Sequence, residues 1–195
     1  GCFGKAQAYA AAAAAAVGSV FGVRLGETSA RLGAYQGPNG RLKIIYGIHN
    51  STIIDDTYNA SPASTKIALE ALRDVSASRK IAVLGDMREL GEYSNKAHRD
   101  IGVITDSCAD ILVCVGSLAA AIAETSRIPA DRIFIFNTSD EAKSKVRDLI
   151  KEGDVILIKG SQGIRMEKVV AEIMVEPQRK KELLVRQSRN WLSKL

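Results

Sequence analysis

From residue 41 onward, short unbroken apolar runs alternate with stretches whose apolar residues recur at helical spacing. Residues 41–48 and 51–55 read as two strands joined by a tight turn at His49-Asn50. Further strands are predicted at 80–84, 111–115, 132–136 and 155–158. The spacing predicts helices over about 62–74, from Ser94 (expected to cap it) to about Cys108, near 117–126, over about 140–151 and over about 165–174. Unbroken apolar strands are those buried on both faces. Strands alternating with helices make a mostly parallel sheet with helices on both faces, a Rossmann-like α/β fold. The sequence has no internal repeat.

Before this pattern lie two stretches of different character. Residues 1–22 include seven consecutive alanines, Ala10 to Ala16, and read as a closely packed internal helix ended by Gly22. Residues 23–40 read as irregular and Gly-rich, with Gly37-Pro38-Asn39-Gly40 as a strong break, and a domain boundary is placed there. The alanine segment is too short and too weakly apolar to cross a bilayer, and it lacks the basic start of a signal peptide. Cytoplasmic location is expected. At the other end, Leu184, Trp191 and Leu195 fall on one face at helical spacing, which predicts a C-terminal helix packing on the domain.

Composition changes this picture little. The 195 residues are 46% hydrophobic and 25% charged, ordinary for a soluble globular chain. The net charge of +5 has a location: residues 177–195 hold six basic side chains and one acid, so the remainder is balanced. Without an aromatic platform or a nucleic-acid-binding motif, that excess does not read as a nucleic-acid surface. Cys2, Cys108 and Cys114 form no CxxC pair and read as reduced thiols, and two histidines with no Cys/His cluster give no zinc site. The chain begins Gly-Cys-Phe without an initiator Met, as a piece of a longer protein would.

The candidate chemistry sits at the ends of the predicted strands. In open α/β sheets ligands bind outside the carboxyl ends of the strands. Ile53-Ile54-Asp55-Asp56-Thr57-Tyr58-Asn59-Ala60-Ser61-Pro62 is a buried strand running into paired carboxylates and a helix start, with Ser61 as cap and Pro62 in the first turn. Paired Asp at such an end suits a ribose diol, a metal or plain turn chemistry. Three more loops join it at that edge: Gly85-Asp86-Met87-Arg88-Glu89-Leu90-Gly91, Gly116-Ser117, and Lys159-Gly160-Ser161-Gln162-Gly163. Lys-Gly-Ser before a helix resembles an anion cradle. Neither G-x-x-x-x-G-K-[ST] nor a strand-following G-x-G-x-x-G occurs. His98, on a predicted helix, reads as a hydrogen-bonded structural residue, and no nucleophile–base pair can be assigned.

Gly40-Arg41, the Ile54 to Ser64 run, Val83 to Gly91 with Ser94 and His98, and Leu157 to Ser161 occur in an order and spacing that resemble the C-terminal part of a Mur ligase. The type resembled joins D-alanyl-D-alanine to UDP-N-acetylmuramoyl-tripeptide in peptidoglycan synthesis. Residues 1–37 resemble the end of that family's central ATPase domain, through Gly4-x-x-Gln7-x-Tyr9 before an Ala-rich helix, although the family often has His where this chain has Ala6. The resemblance implies a helical remnant over 1–37 and the C-terminal domain over 38–195. It implies an ATP-dependent ligase working through an acyl phosphate, with catalytic residues and magnesium ligands in an upstream domain of the same protein. This segment alone would then be inactive. It further implies that Arg41, Asp56, Tyr58 and Asn59 contact ATP, and that Asp86, Glu89, Leu90, Lys159, Gly160 and Ser161 position the peptide substrates. No metal ligand, nucleic acid or membrane partner is implied for this segment. A sister ligase, folylpolyglutamate or another muramyl type, and a stand-alone α/β binding module are the other readings. The Asp86-Met87-x-Glu89-Leu90-Gly91 loop favours the D-alanyl-D-alanine type.

Overall fold

The computed structural model describes residues 4–193, with only the backbone of Ala6; Cys2 and Leu195, read above as a thiol and as part of a helix face, lie outside the described residues. The chain divides after Pro38 into two compact units.

The first unit is a pair of helices, α1 (Lys5–Val20) and α2 (Leu25–Ala34), joined through Gly22 at φ 78°. The alanine helix forms as expected, but Ala10 to Ala16 are exposed or half-exposed rather than packed inside. The half-exposed positions Gln7, Ala11, Ala15 and Gly18 recur at helical spacing, as a helix with a single partner requires. Residues 23–40, expected to be irregular, contain α2. Gly26 and Gly33 lower its intrinsic propensity, and an Arg31–Glu27 pair one turn apart supports it.

The second unit is built on six strands: β1 (Lys43–Tyr46), β2 (Thr52–Asp56), β3 (Lys80–Gly85), β4 (Ile111–Val115), β5 (Ile133–Phe136) and β6 (Val155–Lys159). Their spatial order is β1-β2-β6-β3-β4-β5. β1 and β2 form an antiparallel hairpin, and every other pairing is parallel. His49 and Asn50 both have positive φ, 55° and 53°, the backbone that a two-residue hairpin turn needs. The last strand in sequence thus lies between β2 and β3.

α3 (Pro62–Asp74), α4 (Ser94–Thr105) and α5 (Ala120–Thr125) cover one face; α6 (Ser139–Leu149) and α7 (Glu167–Ile173) cover the other. Strand side chains alternate between the faces. Ile53, Ile156, Ile81 and Val113 pack with Ala142, Val146, Val169 and Val170 on the α6–α7 side. Ile54, Leu157, Ala82 and Leu112, all fully buried, form one register row toward α3.

Two further expectations give way. Ser94 does not cap α4. It is the first residue of that helix, entered through a short 3-10 turn over Gly91–Tyr93, and its Oγ is buried without a hydrogen-bond partner. The C-terminal segment is not one helix but two short ones, α8 (Lys180–Leu183) and α9 (Arg189–Leu192), separated by a non-helical stretch. Leu184 at that break is buried at 3% exposure, whereas Trp191 is only half-buried.

Candidate functional site at the carboxyl edge of the sheet

At the end of β2 the alternation of side chains sends two adjacent carboxylates to opposite faces. Asp56 points to the α3 side, in register with Lys159 of β6. The Lys159 Nζ lies 2.6 Å from Asp56 Oδ2, with the lysine side chain 2% and the aspartate 13% exposed. Lys159 also donates to the carbonyl of Asn59 at 2.9 Å, and Asp56 Oδ1 accepts from the backbone N–H of Leu42 at 3.1 Å. Taking two charges out of water is costly unless each keeps such partners. The pair therefore ties the loop after β2 to β6 and to the entry of β1.

Asp55 faces the other way and is fully buried. Its Oδ1 accepts from the Thr57 hydroxyl at 2.6 Å and the Thr57 N–H at 3.2 Å, while Oδ2 has no partner. Burial pushes its pKa from 3.8 up to about 6, against the lowering effect of the Thr57 bonds.

Beyond the carboxylates the loop turns into α3. Asn59 Oδ1 accepts from the N–H of Ala60 at 2.9 Å. Ser61 then caps the helix in a reciprocal box with Ser64, with Pro62 in the first turn, as the sequence predicts. Ser161, after β6, joins three strand ends. Its N–H donates to Asp86 O at 2.9 Å, its hydroxyl accepts from the N–H of Arg88 at 2.8 Å and donates to Ala60 O at 3.4 Å. Gly160 makes this approach possible: a Cβ there would stand 2.7 Å from Met166 and 3.1 Å from the Cα of Gly85.

The loop after β3 is held equally firmly. Asp86, 3% exposed, accepts at Oδ1 from the N–H groups of Leu118 and Ala119, at 3.0 and 2.8 Å. It thereby serves the start of α5 and ties β3 to the Gly116-Ser117 loop. His98 is fully buried, accepts from the Met87 N–H at Nε2 (2.9 Å) and lies 2.7 Å from Ser94 O at Nδ1. A carbonyl can only accept, so Nδ1 carries the proton and the ring is neutral. This is the structural role expected of it.

The residues singled out from the sequence therefore fall into two groups. Asp56, Asp86, Lys159, Gly160 and Ser161 are buried and brace the loops from behind. Arg41, Tyr58, Asn59 and Glu89 are exposed along the rim, and Leu90 is half-buried beside them. Arg41 stacks its guanidinium over the Tyr58 ring, 4.1 Å from the centroid. Glu89 holds a left-handed backbone, φ 66°, on a loop whose neighbours are fixed. Two residues whose side chains are buried at this edge, Glu167 and Arg186, carry no signal in the sequence. In the sequence Arg186 is one more cation of the basic tail, and nothing beside it marks it as an inward-facing residue.

Among the described residues, no group of three or more His, Cys, Asp or Glu side chains is arranged to hold a metal ion, and no helix is long and apolar enough to cross a membrane.

Comparison with known proteins finds relatives that share this fold. The chain is 32% identical over 178 residues to the UDP-N-acetylmuramoyl-tripeptide--D-alanyl-D-alanine ligase of Bacillus subtilis, covering 89% of the chain and 39% of that protein. The ligase of the same name from Rickettsia prowazekii is 38% identical over 132 residues, 67% of the chain and 29% of that protein. Among solved structures, MurF of Acinetobacter baumannii superposes with a TM-score of 0.77 at 33% identity, over 87% of the chain and 38% of its own length. MurF ligase of Thermotoga maritima in complex with ADP gives 0.74 at 28% identity, over 88% and 38%. The chain thus spans about two fifths or less of the length of these relatives. The family profile of the Mur ligase, glutamate ligase domain matches residues 40–162, which carry β1 to β6 and all the rim residues described above, and by that match the chain belongs to the Mur ligase family.

Proposed function

We propose that this chain is the C-terminal domain of an ATP-dependent amide ligase that joins D-alanyl-D-alanine to UDP-N-acetylmuramoyl-tripeptide. The reaction is taken to pass through an acyl phosphate, on which the amine of the dipeptide acts to give the amide, ADP and phosphate. The observation that carries this reading is the braced ledge at the carboxyl edge. Three strand-end loops are locked together by Lys159 and Ser161, and an Arg–Tyr stack stands exposed on the rim. The two relatives named above, both UDP-N-acetylmuramoyl-tripeptide--D-alanyl-D-alanine ligases, support the substrate pair. In this reading the Arg41 guanidinium, presented by Tyr58, meets the phosphates of ATP, for which its planar fork is suited. Asn59 and Tyr58 line the nucleotide, Asp56 sets the loop they stand on, and Glu89 and Leu90 face the peptide substrates. Asp86, Lys159, Gly160 and Ser161 hold those positions. All of these are positioning and electrostatic roles, which convert binding geometry into rate without covalent chemistry. Magnesium ligands and the phosphate loop belong to an upstream part of the same cytoplasmic protein.

Steady-state kinetics of the complete ligase tests this. Arg41→Ala and Tyr58→Ala should each raise the KM for ATP about tenfold, the size of one lost charge-assisted contact. Glu89→Ala should act on the KM of D-alanyl-D-alanine or of the nucleotide peptide instead. Unchanged kinetics in all three would overturn the assignment.

A further inference from the structure

After Leu184 the chain crosses the end of β2 on the α7 side and delivers Arg186 into it, with its side chain 5% exposed. Nη1 donates to Thr57 O at 2.8 Å and to Glu167 Oε2 at 3.2 Å, and Nη2 donates to Tyr58 O. These carbonyls belong to consecutive residues just past the strand, where the sheet no longer supplies donors. The two terminal nitrogens of the planar guanidinium take one carbonyl each, whereas an ammonium has a single nitrogen to offer.

The anchorage is doubled. Glu167, 1% exposed, is held on its other oxygen by Arg165 Nε at 2.5 Å, and Arg165 Nη1 donates to Trp191 O at 3.0 Å. Arg165 and Arg186 both adopt left-handed backbone, φ 60° and 59°, which non-glycine residues keep only where the surroundings compel it. On the same loop, Tyr58 N–H donates to Gly40 O at 3.0 Å, and Val185 closes over Gly40, where a Cβ would stand 2.8 Å from it at φ 69°. Gly40 directly precedes Arg41, so this C-terminal segment, a strap over the end of β2, meets Tyr58 itself and the residue before Arg41.

We propose that Arg186 is a positioning residue for nucleotide binding: the C-terminal strap fixes the backbone of Thr57 and Tyr58, and through Gly40 the place of Arg41. Arg186 lies beyond the segment matched by the family profile. The inference rests on the functional reading above in one respect only, that the Arg41–Tyr58 rim contacts ATP.

The test uses the complete ligase with Arg186→Lys, Arg186→Ala and, as a site reference, Tyr58→Ala. Arg186→Lys keeps the charge beside Glu167 but cannot fork onto two carbonyls, and it carries the test should Arg186→Ala fail to fold. The expected result is a rise of about tenfold in the KM for ATP. The kcat and both other KM values should stay within about twofold, and the Tyr58 amide should exchange its hydrogen faster. A merely structural residue would lower thermal stability and leave the KM for ATP alone. If Tyr58→Ala raises that KM and neither Arg186 variant does, the positioning role is overturned and the nucleotide site stands. If the Tyr58 amide exchanges faster and no variant, Tyr58→Ala included, shifts that KM, the strap is real and both nucleotide assignments fall. Unchanged exchange in Arg186→Lys overturns the strap itself.

Discussion

Two neighbouring carboxylates, Asp55 and Asp56, meet opposite fates because a strand turns successive side chains to opposite faces. Asp56 finds a lysine, so removing that lysine leaves a buried charge with one remaining backbone partner. Lys159→Ala should cost about 3–5 kcal/mol in denaturant unfolding, and Asp56→Ala with Lys159→Ala together should cost less than the sum of the two. Asp55 forms no ion pair among the described residues, and burial raises its pKa from 3.8 to about 6. Between those values the folded state keeps a proton that the unfolded chain has released. Its contribution to stability is therefore fully present below about pH 4 and falls as pH rises toward 6. The loss amounts to about 3 kcal/mol. Asp55→Asn should flatten the stability profile across that window and leave the protein more stable than the wild type at pH 7. Both carboxylates were legible as strand-end residues. That Lys159 would be spent on Asp56 was not, because it depends on β2 and β6 being neighbours, and 103 residues separate the two side chains in sequence.

The strands were legible because each is an unbroken β-branched or apolar run bounded by polar turns, and all six appear within two residues of their expected ends. α3 was legible to the residue through its cap. Ser61→Ala should remove about 1 kcal/mol of stability, read as a lower urea midpoint with unchanged slope. Where the reading failed, a local rule was overridden. α2 forms despite two glycines. α4 takes its start from a 3-10 turn, so the serine in the expected cap position becomes helical. At the C-terminus, Leu184 and Trp191 have helical spacing, but Arg186 between them sits at φ 59°, which no α-helix contains. The guanidinium's reach to Thr57 and Tyr58 decides the backbone there, and that contact is invisible in the segment's own sequence.

For the molecule as a whole, part of the positive excess of the last nineteen residues is taken up by partners: the Arg186 side chain is buried against Glu167, and Arg179, at the surface, is paired with Glu176 and Glu182. The fold class followed from the alternation of elements, but the strand order did not, since pairing between distant segments leaves no local trace. That order has a temporal meaning. A chain emerging from the ribosome has made β1 to β5 before it makes β6, the strand that fills the middle of the sheet. Until then β2 and β3 lack the strand that joins them, and Asp56 lacks its cation. The strand at the centre is the last to be made, so Lys159, which completes the ledge, becomes available only once every strand of the sheet has been synthesised.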